Sequence, residues 1–172
     1  INDPTYGMTA EEQAQFVEGF WADGTIYDDA GTRYAMPFNK STELMYYNKT
    51  IFDKYRWSVP QTWDQVVDIC EKFKKTNEYR TAVANYGANQ VFGMGYDSEA
   101  NLFITLTEQY KSGYTTNDPE NRYTFNNDKN KEIISKFAKF HQDGYMTTKA
   151  IYGSYTSGLF VSTEAVRSYI SI

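Results

Sequence analysis

Between residues 60 and 75 the apolar positions fall on one helical face. Trp63, Val66, Val67, Cys70 and Phe73 recur at helical spacing among charged residues, the stripe of an amphipathic helix. Thr62, with Gln65 three positions on, forms a capping box and starts that helix at Trp63. The same logic predicts three further helices. Thr9-Ala10-Glu11-Glu12 is a capping box opening a short helix through Phe16, Val17 and Phe20. Ser98 caps a helix carrying Leu102, Phe103, Leu106 and Tyr110. Asn127 or Asp128 starts one with Ile133, Ile134, Phe137 and Phe140 inward, closed by Gly144. A shorter helix follows Thr156.

Strand patterns lie between these helices. Thr25-Ile26-Tyr27 and Thr32-Arg33-Tyr34 flank the turn-forming Asp28-Asp29-Ala30-Gly31, the pattern of a hairpin. Leu44-Met45-Tyr46-Tyr47 is a continuous apolar run, as for a strand buried on both faces. Gln90 to Tyr96 and Val166 to Ile172 read as two more strands, and Lys111 to Arg122 as a loop. Strands alternate with helices, so the predicted class is α/β. The chain opens without an initiator Met or signal peptide and ends on a strand-like run, the pattern of a segment of a longer protein.

Composition narrows the functional classes. Apolar residues make up 41% of the 172, enough for a packed core, and no apolar run approaches the ~18–20 residues of a spanning helix. The formal charge is −5, which argues against a nucleic-acid or anionic-membrane partner. One cysteine, Cys70, and one histidine, His141, exclude disulfide scaffolds and Cys/His zinc sites. Cys70 lies on the apolar stripe and reads as a buried structural thiol; His141, near a helix C-terminus, reads as structural too.

The candidate chemistry is sparse. Gly93-Met94-Gly95-Tyr96-Asp97-Ser98 sits where a strand meets a helix, but it lacks the third glycine of a dinucleotide fingerprint. Asn126, Asp128 and Asn130 start like a calcium loop, yet Lys131 takes the glycine position and Phe137 the bidentate Glu position. Asp23, Asp28, Asp29 and Glu43 offer carboxylates for glycosidase chemistry without a defined separation between any two. No enzyme motif survives. The aromatic share, 17% with 16 Tyr, suits half-wet clefts as well as cores.

The run from Tyr34 through Pro37-Phe38-Asn39, Ser41, Glu43 and Tyr46-Tyr47-Asn48-Lys49, then Val59-Pro60-Gln61-Thr62-Trp63-Asp64, resembles one family closely. It is similar to the extracellular solute-binding proteins of ABC sugar importers, the group that includes maltose-binding protein. Gly113-Tyr114, Phe125-Asn126-Asn127, the helix from Ile133 to Phe140 and Gly144-Tyr145 follow the family's later order of elements. Ser162-Thr163-Glu164 after Phe160 departs from it.

The resemblance implies a bacterial two-lobed receptor that closes on a sugar and presents it to a permease. It implies a periplasmic-binding-protein type II-like lobe, incomplete here, with a mixed sheet in a three-layer α/β/α arrangement. Residues 1–36 are then the end of the N-terminal lobe, 37–43 a hinge crossing, and 44–172 most of the C-terminal lobe. It also implies no catalysis, no cofactor, and a place outside the cell membrane, in the periplasm or on a lipid anchor. Sugars present hydroxyl edges and weakly apolar ring faces, so the expected ligand residues are Asn39, Ser41 and Glu43 in the hinge loop. Tyr96, Asp97 and Asn101, at a strand's C-terminal end, complete the expected set. Trp21 is a further candidate, whereas Trp57 and Trp63 read as structural. Two competing readings stand beside this one: a sensory or scaffold module on the same fold, and a carbohydrate-active enzyme.

Overall fold

The computed structural model describes residues 1, 3–162 and 166–172. Thr163 and Glu164, where the sequence departs from the family pattern, lie outside the described residues. The chain divides into two compact units, Ile1–Glu43 and Leu44–Ile172.

The first unit holds two short helices, α1 (Ala10–Gln13) and α2 (Glu18–Ala22). The Thr9 capping box forms as expected: Thr9 Oγ1 accepts from Glu12 N–H, and Glu12 Oε2 from Thr9 N–H. The single helix predicted through Phe20 is instead two, and neither buries a residue. The expected hairpin is absent among the described residues. Asp28 folds the segment on itself, its Oδ1 accepting from Thr32 N–H at 2.9 Å and its Oδ2 from Tyr34 O–H at 2.9 Å. Local side-chain bonds of this kind compete with strand pairing.

The second unit carries a mixed sheet ordered β1-β4-β2-β3: β1 (Tyr46–Tyr47), β2 (Met94–Tyr96), β3 (Met146–Thr148) and β4 (Ile170–Ser171). β2 runs parallel to β3, with Gly95 opposite Thr147, and parallel to β4, with Gly95 opposite Ser171. β1 pairs antiparallel with β4. The class is therefore α/β. The run 44–47 is no doubly buried strand: β1 lies at the sheet's edge, and Tyr46 is 60% exposed.

Helices α3 (Lys49–Tyr55), α4 (Trp63–Phe73), α5 (Asn77–Tyr86), α6 (Glu99–Gln109) and α7 (Asp128–Gln142) follow in order. They bury Phe52, Ile69, Cys70, Phe73, Ala82, Leu106, Ile133 and Phe137 in one core with Met94, Tyr96, Tyr169 and Ile170 of the sheet. Thr62 caps α4 by accepting from Gln65 N–H, but Gln65 Oε1 takes Gln61 N–H rather than that of Thr62. Ile69 joins the α4 stripe, and Ile134, expected inward, faces out. Two further helices, α8 (Lys149–Tyr152) and α9 (Ser157–Phe160), complete the unit.

The glycines of the 93–98 stretch have a packing role. A Cβ on Gly93 would lie 2.4 Å from Cys70 Sγ, and one on Gly95 would lie 2.6 Å from Thr156 Oγ1. They let α4 and the start of α9 press against the sheet, which explains the glycine pair without a nucleotide.

Candidate functional site

The three parallel strands end on one edge of the sheet, and in open α/β sheets ligands lie outside that edge. β2 leads there into Asp97, Ser98 and α6; β3 leads into α8; β4 leads into Ile172. Backbone bonds tie these ends together, Ile172 N–H to Gly95 O at 3.0 Å and Asp97 N–H to Ile172 O at 2.8 Å.

Asp97 is the centre of this edge. Its Oδ1 accepts from Thr156 N–H at 2.5 Å, Thr156 O–H at 2.6 Å and Ser157 N–H at 3.2 Å, so it caps the start of α9 across the sheet edge. Burial pushes the Asp97 carboxyl up, but the bonds from Thr156 and Ser157 outweigh it and hold the group below the usual aspartate value. Glu99 does the same for α8, its Oε1 accepting from Ala150 N–H at 2.5 Å. Ser98 Oγ caps α6 by accepting from Asn101 N–H at 3.2 Å, which leaves the Asn101 side chain at the exposed surface. Tyr155 stands out beside them, 59% exposed, with Lys149 Nζ 3.6 Å from its ring centroid.

The residues expected at a sugar site thus separate. Tyr96, expected among the ligand residues, is 1% exposed and packs in the core, on a strand whose three residues are all buried. Asp97 has Oδ1 committed to α9. Asn101 is exposed on the edge. Asn39, Ser41 and Glu43 lie in an exposed segment of the first unit. Trp21 stacks with Phe16 at 4.7 Å and under Arg33 at 3.6 Å, a packing role within that unit. Lys149 and Tyr155 are absent from the expected set. Their signal was available once residues 146–148 are recognised as a parallel strand, since they follow its C-terminal end.

A family model of bacterial extracellular solute-binding proteins matches residues 4–166. The chain belongs to that family. A multiple sugar-binding protein of Streptococcus mutans is 30% identical over 79 residues, 46% of this chain and 18% of that protein. This solute-binding chain thus covers less than two thirds of that relative's length. No solved structure matches it.

Other features of this solute-binding chain are structural. Cys70 is buried against Gly93, and burial pushes its thiol up to about 12, far from a nucleophile's range. His141 Nδ1 lies 3.0 Å from Met146 O, and its ring stacks on Phe92. Asn130 is buried, its Nδ2 donating to Gly113 O and Phe125 O at 2.9 Å, so the calcium-like spacing serves the fold. Among the described residues no cluster of His, Cys, Asp or Glu could hold a metal ion, and no helix is long and apolar enough to cross a membrane.

Three concavities also lie in the second unit. One, of about 400 Å³, is lined by Met45, Trp63, Gln109, Tyr110 and Ile172; Trp63 Nε1 donates to Gln109 Oε1 at 2.7 Å and its ring packs edge-on against Phe137. A second, of about 630 Å³, is lined by Lys74, Gln90, Phe92, His141 and Tyr152, and a third, of about 230 Å³, by Glu99, Leu102, Phe137, Met146 and Ile151.

Proposed function

We propose that this chain is part of an extracytoplasmic receptor that captures a carbohydrate and presents it to an ABC importer's permease, without catalysis. The observation that carries this reading is the edge at the C-terminal ends of the parallel strands, where Asn101 and Tyr155 are exposed and a half-buried Lys149 lies against the Tyr155 ring. A sugar needs such a mixture of hydrogen-bonding side chains and an aromatic face. Membership of the solute-binding family, and the local identity to a multiple sugar-binding protein, support the ligand class.

In this reading residues 1–36 end the N-terminal lobe, 37–43 form the hinge crossing and 44–172 make most of a type II-like C-terminal lobe. The division of the chain after Glu43 supports that assignment. Asn39, Ser41 and Glu43 then contribute ligand contacts from the crossing. Ligand bridging both lobes favours the closed state by its differential affinity, and the permease reads that state.

Calorimetric titration of the full-length protein with mono- and oligosaccharides tests the reading. Binding of one sugar, weakened about tenfold or more in Asn101→Ala and Asn39→Ala, is the expected result. A wild-type protein that binds none of a broad panel refutes the carbohydrate assignment.

A further inference from the structure

Glycines in a strand let other elements come close to the sheet, and the floor between those elements is then low. Gly93 faces Cys70 of α4, and Gly95 faces Thr156 at the start of α9. Thr147 of β3 is the register partner of Gly95, and partners in a parallel pair carry their side chains on one face. Thr147 borders the concavity of about 630 Å³, a volume within the about 300–1,000 Å³ of small-molecule sites. Lys74 after α4, Asn89 and Gln90 before β2, and Phe92 and His141 line it too.

The polar groups here share one character. Thr147 is 1% exposed, and its hydroxyl has no hydrogen-bond partner among the described residues. A buried hydroxyl in that state destabilises the fold, and a ligand that supplies the partner relieves it. Asn89 and Gln90 bring side-chain amides, each a donor and an acceptor at once. The charges are met locally. Lys74 Nζ donates to Asp143 O at 2.5 Å, and both Asp143 carboxylate oxygens accept from Lys139 Nζ at 3.0 Å. His141 Nδ1 lies 3.0 Å from Met146 O, an oxygen that only accepts, so the ring proton sits on Nδ1. The ring itself stacks on Phe92 and gives the wall an aromatic surface.

We propose that this concavity is a second small-molecule site, for a neutral polyhydroxylated molecule of monosaccharide size. Thr147 is its buried anchor, and Asn89 and Gln90 are its contacts at the rim. Hydroxyl groups both donate and accept, which matches a threonine and two amides. An anion meets a single ammonium already bonded to Asp143 O, and a cation meets a carboxylate already held by Lys139. The site is separate from the strand-end edge to which the receptor reading assigns its sugar, and it does not depend on that reading. Cyclic sugars and open-chain polyols share the chemistry it recognises.

Heteronuclear NMR of the full-length protein, titrated separately with glucose, sorbitol and inorganic phosphate, tests the site. Glucose, sorbitol or both should move the amide signals of Asn89, Gln90 and Thr147 along saturable curves with a Kd of about 1 mM, and phosphate should leave them in place. Thr147→Val keeps the side chain's shape and removes its hydroxyl. It should melt no lower than wild type, because no bond is lost, yet weaken that Kd by about tenfold. Gln90→Ala should weaken it by about threefold or more. Asn101→Ala, at the strand-end edge, should leave these curves unchanged, so this site and the receptor reading fail separately. Unmoved signals in wild type with both neutral probes, equal affinity in Thr147→Val, or saturation by phosphate instead overturns the proposal.

Discussion

Replacing Asp97 with alanine deletes one oxygen atom that three donors share. Two of the donors are the backbone N–H groups of Thr156, which precedes α9, and Ser157, its first residue, and the third is the hydroxyl of Thr156, which has no solvent to turn to. Loss of a helix cap costs about 1 kcal/mol, and a buried hydroxyl left without its charged acceptor about 2 kcal/mol more, so Asp97→Ala should destabilise the second unit by about 3 kcal/mol. Set against the about 5–15 kcal/mol of a typical domain, that is a large fraction. Asp97→Asn keeps an acceptor oxygen in place and loses only the charge, so its cost should be about 1 kcal/mol.

The pH dependence has a definite sign. Because the folded-state pKa of Asp97 is held below the ordinary aspartate value, the carboxylate contributes full stability above the unfolded value of about 3.9 and loses it as pH falls through the folded value. The wild-type advantage over Asp97→Asn should therefore be present at neutral pH and fade below about pH 4. Urea unfolding of the three proteins, with hydrogen exchange at the Thr156 and Ser157 amides, reads both effects. Equal stability of Asp97→Ala and wild type, or unchanged protection of those amides, would refute the capping argument.

Gly93→Ala should destabilise the unit by about 2 kcal/mol or more in thermal unfolding, because its Cβ would meet Cys70 at Sγ, Cβ and Cα, the last of them backbone. Cys70→Ala should restore only part of that loss, since the Cβ contact at 2.7 Å remains. The Cys70 thiol should resist alkylation by iodoacetamide at pH 8 in the folded protein, because a pKa of about 12 leaves about one thiolate in ten thousand and burial blocks access. Rapid native-state labelling would show that α4 does not pack on Gly93 as described.

Helices α4, α6 and α7 were legible because their information is local. A capping side chain reaches three residues, and an apolar stripe repeats every turn, so Thr62, Ser98 and Asn127 mark starts that the structure keeps. α5 escaped that reading: its Thr76 cap forms, but Ala82 is its one buried residue, too little apolar stripe to register. Residues 25–34 carry β-forming side chains and form no strand, since β preference depends on a neighbour to pair with and Asp28 satisfied the backbone first.

By itself the sequence determined the α/β class, the buried thiol and, through the run from Tyr34 to Asp64, the family. Only the tertiary structure decided the strand order and which side chains meet across the sheet edge. The last strand inserts between β1 and β2 at the middle of the sheet, and Asp97 finds its partners at Thr156 and Ser157, far along the chain. Pairing order and side-chain partners at such separations are set by how the helices bury their apolar faces together, a property no local window contains. That is why the clasp of Asp97 on Thr156 and Ser157 shows only once the sheet is assembled.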